Sequence, residues 1–154
     1  MRIRVLWEGK TKDPHLRALI DDYAARIAKF GDFAIQEIPE AKKRGRKTSR
    51  KLSAAEARML EKLRNSTKVF LDPEGGEWTS QEFALWLGQQ GVRGTRELAF
   101  VVGGPDGFSS AFRAEADLLL SLSRMTLTHD WARALLLEQI YRGFTVLRGF
   151  PYVR

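Results

Sequence analysis

The residues best placed to do chemistry follow short apolar runs that stop abruptly at glycine or small polar residues. Gly103-Gly104-Pro105 follows the run 98–102, and the polar segment 123–128 follows the run 117–122. Adjacent glycines leave backbone amides open to a ligand that approaches closely. Small molecules bind at the carboxyl ends of strands in open α/β sheets, so we expect both loops to line a ligand site. Residues 72–76 form a third loop that could also face the ligand.

The composition of these loops suits a neutral or cationic adenosine-type ligand. Backbone amides and carbonyls would hold it, together with apolar contacts from Leu71, Met125 and Leu127. S-adenosylmethionine is such a ligand, but the residues alone do not choose it over another nucleoside. The chain has no cysteine and two histidines far apart, so a metal site is not expected. It also lacks the Gly-x-x-x-x-Gly-Lys-Ser/Thr phosphate loop, the Gly-x-Gly-x-x-Gly dinucleotide fingerprint and any nucleophilic triad.

The elements that must position these loops alternate between strand and helix. Apolar patterning predicts strands at residues 2–7, 33–38, 69–71, 98–102 and 117–122. Helices are expected to begin at Asp13-Pro14, at the capping boxes Ser53–Glu56 and Thr79–Glu82, and near His129. Gly31 is expected to end the first helix in a left-handed conformation. The pattern predicts an α/β fold with a mostly parallel sheet and flanking helices, in a single domain over residues 1–154.

The last predicted helix, from about His129 to Phe144, is apolar around most of its circumference. One apolar stripe consists of Leu136, Ile140, Phe144 and Leu147. Much of the remaining circumference is also apolar, through Trp131, Leu135, Leu137 and Tyr141. A helix of this kind is buried on more than one side, so we expect a homodimer formed partly through it. The alternative is a central helix covered entirely by its own domain. Glu138 and Arg142 stand four residues apart and could pair.

The net charge of +7 is concentrated in one segment. Residues 41–51 contain seven basic residues and no acidic one, and the other 19 basic residues balance the 19 acidic ones. Such a patch suits a polyanion such as RNA or DNA, and a solvated loop is the alternative.

The N-terminus has no continuous hydrophobic segment, and no apolar run elsewhere approaches membrane-spanning length. We therefore expect a soluble, cytoplasmic protein that uses neither a membrane nor a metal.

Four motifs, in their order and spacing, resemble one known family. They are Gly103-Gly104-Pro105-Asp106-Gly107, the segments 121–129 and 136–142, and Pro151-Tyr152. With these motifs the chain resembles the ribosomal RNA large subunit methyltransferase H family of small SPOUT-class enzymes, and the resemblance extends over essentially the whole chain. The resemblance implies a trefoil knot in about residues 97–154, S-adenosylmethionine as cofactor, and sites that two subunits build together. It also implies methylation of N3 of a pseudouridine in 23S rRNA on the assembled ribosome.

The resemblance further implies roles for individual residues. Around the cofactor it places Leu71, Gly103, Gly104, Ser123, Arg124, Met125, Thr126, Leu127 and Thr128. Candidates for moving the N3 proton are His129, Glu138 and Tyr152, although His129 could simply cap its helix. Arg142 is expected to orient the target base and to stabilise its negative charge, unless it only pairs with Glu138. The expected RNA contacts are Lys42, Lys43, Arg44, Arg46, Lys47 and Arg154.

The chain departs from the family pattern directly after Pro151-Tyr152. Val153 stands where the family typically has a histidine, and an aliphatic side chain can neither hydrogen-bond RNA nor carry a proton. Either that histidine is dispensable, with Tyr152 and Arg154 making the contacts, or the substrate or efficiency differs.

Two other functions stay open: a non-catalytic ribosome-binding or assembly factor that keeps the fold, and a small-molecule nucleotide-binding enzyme. The localised charge of residues 41–51 disfavours the second.

Overall fold

The computed structural model of the chain describes residues 1–40 and 50–152. Within these ranges five strands and five helices alternate along the chain. They are β1 (Arg2–Glu8), α1 (Pro14–Ala28), β2 (Phe33–Ile38), α2 (Ala54–Lys62), β3 (Thr67–Glu77), α3 (Ser80–Val92), β4 (Glu97–Val102), α4 (Ser110–Arg113), β5 (Leu118–Ser121) and α5 (His129–Arg148). No helix in this part of the chain is long and apolar enough to cross a lipid bilayer.

The strands form one parallel sheet in the order β2-β1-β4-β3-β5, with helices on both faces. Alternate residues of each strand point to opposite faces, so β1 sends Val5 to one core and Leu6 to the other. The first core is completed by α1, α3 and α5, and the second by α2 and α4. The expected α/β class with a mostly parallel sheet and flanking helices is therefore confirmed.

β3 is longer and less regular than expected. The sequence predicts a strand at 69–71 and a loop at 72–76, but the strand continues to Glu77. Leu71 and Gly76 both pair with Leu120 of β5, so the residues between them bulge out of the ladder. A Cβ atom at Gly75 would lie 2.6 Å from the backbone of β5, so this close approach requires glycine. The residues of the expected loop still lie at the carboxyl edge of the sheet, but as a bulge.

The helix starts agree with the sequence better than the helix ends do. Both capping boxes are present, at Ser53 and at Thr79. The prediction that Gly31 caps α1 is wrong, because the C-cap of α1 is Lys29, in a right-handed conformation, and Gly31 has no positive φ. The left-handed cap belongs to Gly149, which ends α5 well beyond the expected Phe144.

Candidate active site

A cavity of about 620 Å³ opens at the carboxyl edge of the sheet, near the ends of β3, β4 and β5. Its walls come from residues 71–73, 102–105, 107–108, 120–123 and 125–129, and from Ala132 in the first turns of α5. Eight of the nine residues expected around a cofactor line it: Leu71, Gly103, Gly104, Ser123, Met125, Thr126, Leu127 and Thr128. The volume is in the range of small-molecule sites in proteins.

The loop after β4 presents backbone to this cavity. Residues 104–107 form a turn in which the Gly107 N–H donates to the Gly104 carbonyl at 3.0 Å. Gly103 packs against Phe108, because a Cβ atom there would lie 3.3 Å from the phenyl ring. At Gly104, apart from its two chain neighbours, no atom of the described chain lies within 4 Å of a Cβ position. Packing within the chain therefore does not require glycine at position 104. A ligand that approaches the backbone closely would require it, because any side chain there would block the approach.

The segment between β5 and α5 is fixed by its own serine and threonine side chains. The Met125 N–H donates to Ser123 Oγ at 2.9 Å, and the Trp131 N–H donates to Thr128 Oγ1 at 3.4 Å. Thr128 is thus the N-cap of α5, and His129, the first helical residue, lines the cavity. Arg124, expected at the cofactor, does not line the cavity, since its side chain is 85% exposed and pairs with Glu77 at 3.4 Å.

Several cavity residues were not predicted from the sequence. Most are apolar residues at or just beyond strand ends, namely Val102, Phe108, Leu120 and Leu122. Asp72, by contrast, belongs to the third loop that the sequence allows to face the ligand; it lines the cavity, and its carboxylate lies 3.0 Å from Nε of Arg113. The signal for them was the position of each strand end, which also predicted the loops. No lysine or arginine belongs to the described cavity wall.

Arg142 lies in a second cluster, away from the cavity of its own chain. It follows Ala132 by ten residues on α5, which corresponds to about 15 Å along the helix axis. Its Nη2 donates to Glu138 Oε1 at 2.5 Å, so the expected pairing of these residues is confirmed. This hydrogen bond raises the pKa of Arg142, which keeps the guanidinium cationic. The guanidinium carbon also lies 5.0 Å from the centroid of the Tyr152 ring.

Tyr152 is packed into this second cluster. Its hydroxyl lies 2.8 Å from that of Tyr23 on α1, and its ring meets Tyr141 edge-on at 4.8 Å between centroids. Burial and the hydrogen bond with Tyr23 raise the pKa of Tyr152. The phenol is therefore poorly suited to accept a proton near neutral pH and better suited to anchor the end of the described chain.

The outer face of α5 carries exposed apolar side chains beside this cluster. Trp131 is 50% exposed and Leu135 is 37% exposed, and both share the face with Glu138, Arg142 and the exposed Val146. α1 and α3 pack against α5 through other parts of its surface. The interpretation in which its own domain covers the whole helix is therefore wrong. The homodimer stays a prediction.

The remaining expectations concern residues that the structure does not describe. Lys42, Lys43, Arg44, Arg46, Lys47, Val153 and Arg154 lie outside the described ranges. Among residues 1–40 and 50–152 there is no group of three or more side chains that could hold a metal ion.

Comparison with known proteins gives consistent matches along the whole chain. The family model described as "Predicted SPOUT methyltransferase" matches residues 1–152. The ribosomal RNA large subunit methyltransferase H of Geobacter sulfurreducens is 42% identical over 154 residues, which cover 99% of both chains. The protein of the same name from Solibacter usitatus is 41% identical over 155 residues and covers 100% of both.

Solved structures share the fold at low sequence identity. The tRNA (m1G37) methyltransferase from Aquifex aeolicus has a TM-score of 0.57 at 13% identity, covering 100% of this chain and 77% of that one. The SpoU methyltransferase AviRb from Streptomyces viridochromogenes, in complex with AdoMet, has a TM-score of 0.51 at 16% identity. That alignment covers 92% of this chain and 57% of AviRb.

Proposed function

The chain belongs to the ribosomal RNA large subunit methyltransferase H family of SPOUT methyltransferases, and we propose that it transfers a methyl group from S-adenosylmethionine to N3 of a pseudouridine in 23S rRNA on the assembled ribosome. The observation that carries the proposal is the cavity at the strand ends, lined by eight of the nine residues expected at the cofactor. The names of the full-length relatives support rRNA as the substrate.

The chemistry of the cavity wall fits S-adenosylmethionine. Apolar side chains such as Leu71, Leu120 and Leu127 suit the adenine ring, and the loop 103–107 offers backbone groups for hydrogen bonds. The described wall contains no lysine or arginine, so no positive side chain there would repel the cationic sulfonium. When bound, the cofactor supplies a methyl group on a sulfur that leaves readily. A structural relative, AviRb, is known in complex with the same cofactor.

The chain's own residues then have three tasks. The glycine loop and the segment 123–128 hold the cofactor, so that the target nitrogen and the methyl group can be aligned for in-line displacement. Arg142, which Glu138 holds by a hydrogen bond, orients the target base and stabilises the negative charge left when the N3 proton departs. Of the candidates for accepting that proton, His129 is the one on the cavity wall, whereas the pKa of Tyr152 is raised.

Arg142 is too far along α5 to serve the cavity of its own chain, so we place it in the site of a second copy. In an antiparallel pairing with the two-fold axis at the middle of α5, Arg142 of one copy lies opposite Leu135 of the other. Leu135 is three residues from Ala132 on the cavity wall, or about 4.5 Å along the axis, compared with about 15 Å within one chain. The pairing also covers the exposed Trp131. The knotted segment is part of this proposal, over about residues 97–154.

The basic segment supports RNA as the partner. Seven positive charges without an acidic neighbour in residues 41–51 suit the phosphate backbone, and Arg154 adds a positive side chain next to Val153. Replacing Lys42, Lys43 and Arg44 by glutamine is expected to weaken ribosome association and to reduce its salt dependence. Unchanged affinity would contradict this role.

The test is transfer of labelled methyl from S-adenosylmethionine to ribosomes that lack the modification, with free 23S rRNA run in parallel. We expect label on the ribosome, its loss with Arg142→Ala, and its retention with Arg148→Ala, an exposed arginine on the same helix. Cofactor binding without any label on either RNA would contradict the proposal. That result would favour the non-catalytic ribosome-binding factor, with Val153 as its distinguishing residue.

A further inference from the structure

Arg133 is one of the most deeply buried side chains in the described chain, although it carries a charge. It is 1% exposed, and its guanidinium carbon lies 4.8 Å from the centroid of the Trp7 ring on β1. Its Nη1 donates to Thr11 Oγ1 at 3.1 Å, and its Nη2 donates to the carbonyl of Glu8 at 2.7 Å. One side chain of α5 thus holds both β1 and the segment that follows it.

Asp130 completes this connection from the same turn of α5. Its Oδ2 accepts hydrogen bonds from the backbone N–H groups of Lys12 and Asp13, each at 3.2 Å. Its Oδ1 lies 3.5 Å from Nη1 of Arg133 and 3.4 Å from Nε2 of His129. The carboxylate therefore lies between the buried guanidinium and the histidine on the cavity wall.

The network lies directly behind the cavity. Trp7 pairs in register with Val102 of β4, and Val102 lines the cavity. On α5, His129 and Ala132 also line the cavity, and each is followed directly in the chain by a residue of the network, Asp130 and Arg133 respectively. A rotation or shift of the first turn of α5 would therefore move the cavity wall.

Stability alone is a poor explanation for this arrangement. Burial lowers the pKa of Arg133, which reflects the cost of removing its charge from water, and the charge of Asp130 opposes that effect. Apolar side chains of similar volume often replace a buried ion pair without loss of stability. A planar guanidinium, however, fixes the directions of several partners at once.

We propose that Arg133 and Asp130 are positioning residues, which hold the first turn of α5 in the geometry that binds the cofactor. The inference rests on the proposed function, because it takes the cavity to be the S-adenosylmethionine site. Neither side chain needs to touch the cofactor, since they act through His129 and Ala132.

A second buried arginine provides a matched control. Arg4 is 8% exposed and also lies on β1, but near the opposite, amino edge of the sheet. It donates to Glu97 at 2.8 Å, to Gln36 at 2.9 Å and to Ser66 at 3.2 Å. Arg4→Met and Arg133→Met each remove a buried guanidinium and leave a carboxylate behind, but only the second change is next to the cavity.

The experiment measures S-adenosylmethionine affinity by calorimetry and the unfolding midpoint for the full chain and both variants. We expect Arg133→Met to weaken affinity by about tenfold or more, and Arg4→Met to change it less than about twofold, at similar unfolding midpoints. Wild-type affinity in Arg133→Met, or equal losses in both variants, would overturn the inference.

Two further variants protect the test against misfolding. Arg133→Lys keeps the charge but loses the planar fork, so we expect it to fold and still to bind more weakly than wild type; Arg4→Lys is its control. Full affinity in Arg133→Lys would refute positioning by the guanidinium. If the wild-type chain itself binds no S-adenosylmethionine, the proposed function fails, which is distinct from failure of the positioning role alone.

Discussion

The proposed division of each site between two copies makes a quantitative prediction for mixed dimers. Arg142→Ala removes the guanidinium from the outer face of α5 and leaves the cavity intact. Gly104→Leu places a side chain in the cavity, because apart from the two chain neighbours no described atom lies within 4 Å of a Cβ at that position. This substitution leaves Arg142 intact. In a homodimer of either variant every site lacks one component, so we expect both proteins to be inactive.

Equimolar mixing should restore a defined fraction of activity. Random association gives heterodimers as about half of all dimers, and one of the two sites in each heterodimer has both components intact, so about one quarter of wild-type activity is expected. If Arg142 served the cavity of its own chain, each site of a heterodimer would still lack one component. The separation of about 15 Å along α5 favours the first outcome.

The assay is methyl transfer to ribosomes by heterodimers purified through two different affinity tags, with native mass spectrometry to establish their composition. The purified heterodimer is expected to have about half of the wild-type activity. A heterodimer of Arg148→Ala with Gly104→Leu serves as the control, because it keeps both copies of Arg142. No activity in the Arg142→Ala heterodimer, with an active control, would refute a site shared between copies.

Three other properties can be tested with single substitutions. Gly104→Leu should weaken S-adenosylmethionine binding by about tenfold or more in calorimetry, whereas Gly31→Leu should not, because Gly31 is an exposed glycine that also has open space around it. Equal affinities of the two variants would contradict the placement of the cofactor. Leu135→Glu should shift sedimentation towards the monomer, and Leu85→Glu, on the exposed surface of α3, should leave the dimer intact; a stable Leu135→Glu dimer would argue against pairing through α5. The pKa of Glu82 is lowered because it accepts hydrogen bonds at the N-cap of α3, so its contribution to stability is present above its unfolded-state pKa and is lost as pH falls through the lowered value. Urea midpoints of Glu82→Gln should therefore fall less than those of wild type between about pH 5 and pH 3, and parallel curves would show that this hydrogen bond is not linked to folding.

Features with local signals could be predicted from the sequence. The capping boxes at Ser53 and Thr79 need only four consecutive residues, and the strand Phe33–Ile38 is bounded by its own turn and proline. The glycine loop was recognisable because Gly103-Gly104-Pro105 ends an apolar run that is buried on both faces. Parallel topology then brings such strand ends to one edge, which explains why these loops are expected at one ligand site, whereas the individual cofactor residues are expected only from the family resemblance.

Features that depend on distant contacts could not be predicted. The bulge in β3 arises where Gly75 meets the backbone at Leu119, and no local signal marks that approach. Gly31 and Gly149 both follow a helix, but only Gly149 adopts the left-handed conformation. Arg133 looks like a surface residue in its helical neighbourhood, and its burial depends on Trp7 at the other end of the chain. The position of Arg142, remote from its own cavity, likewise requires the three-dimensional structure.

The most direct test of the proposed activity is the nucleoside composition of 23S rRNA from cells that lack this gene. Mass spectrometry of rRNA digests should show that one 3-methylpseudouridine is missing, that the wild-type gene restores it, and that the Arg142→Ala gene does not. An unchanged methylation pattern in the deletion strain, or loss of a methyl group from a different nucleoside, would contradict N3 methylation of a pseudouridine by this protein.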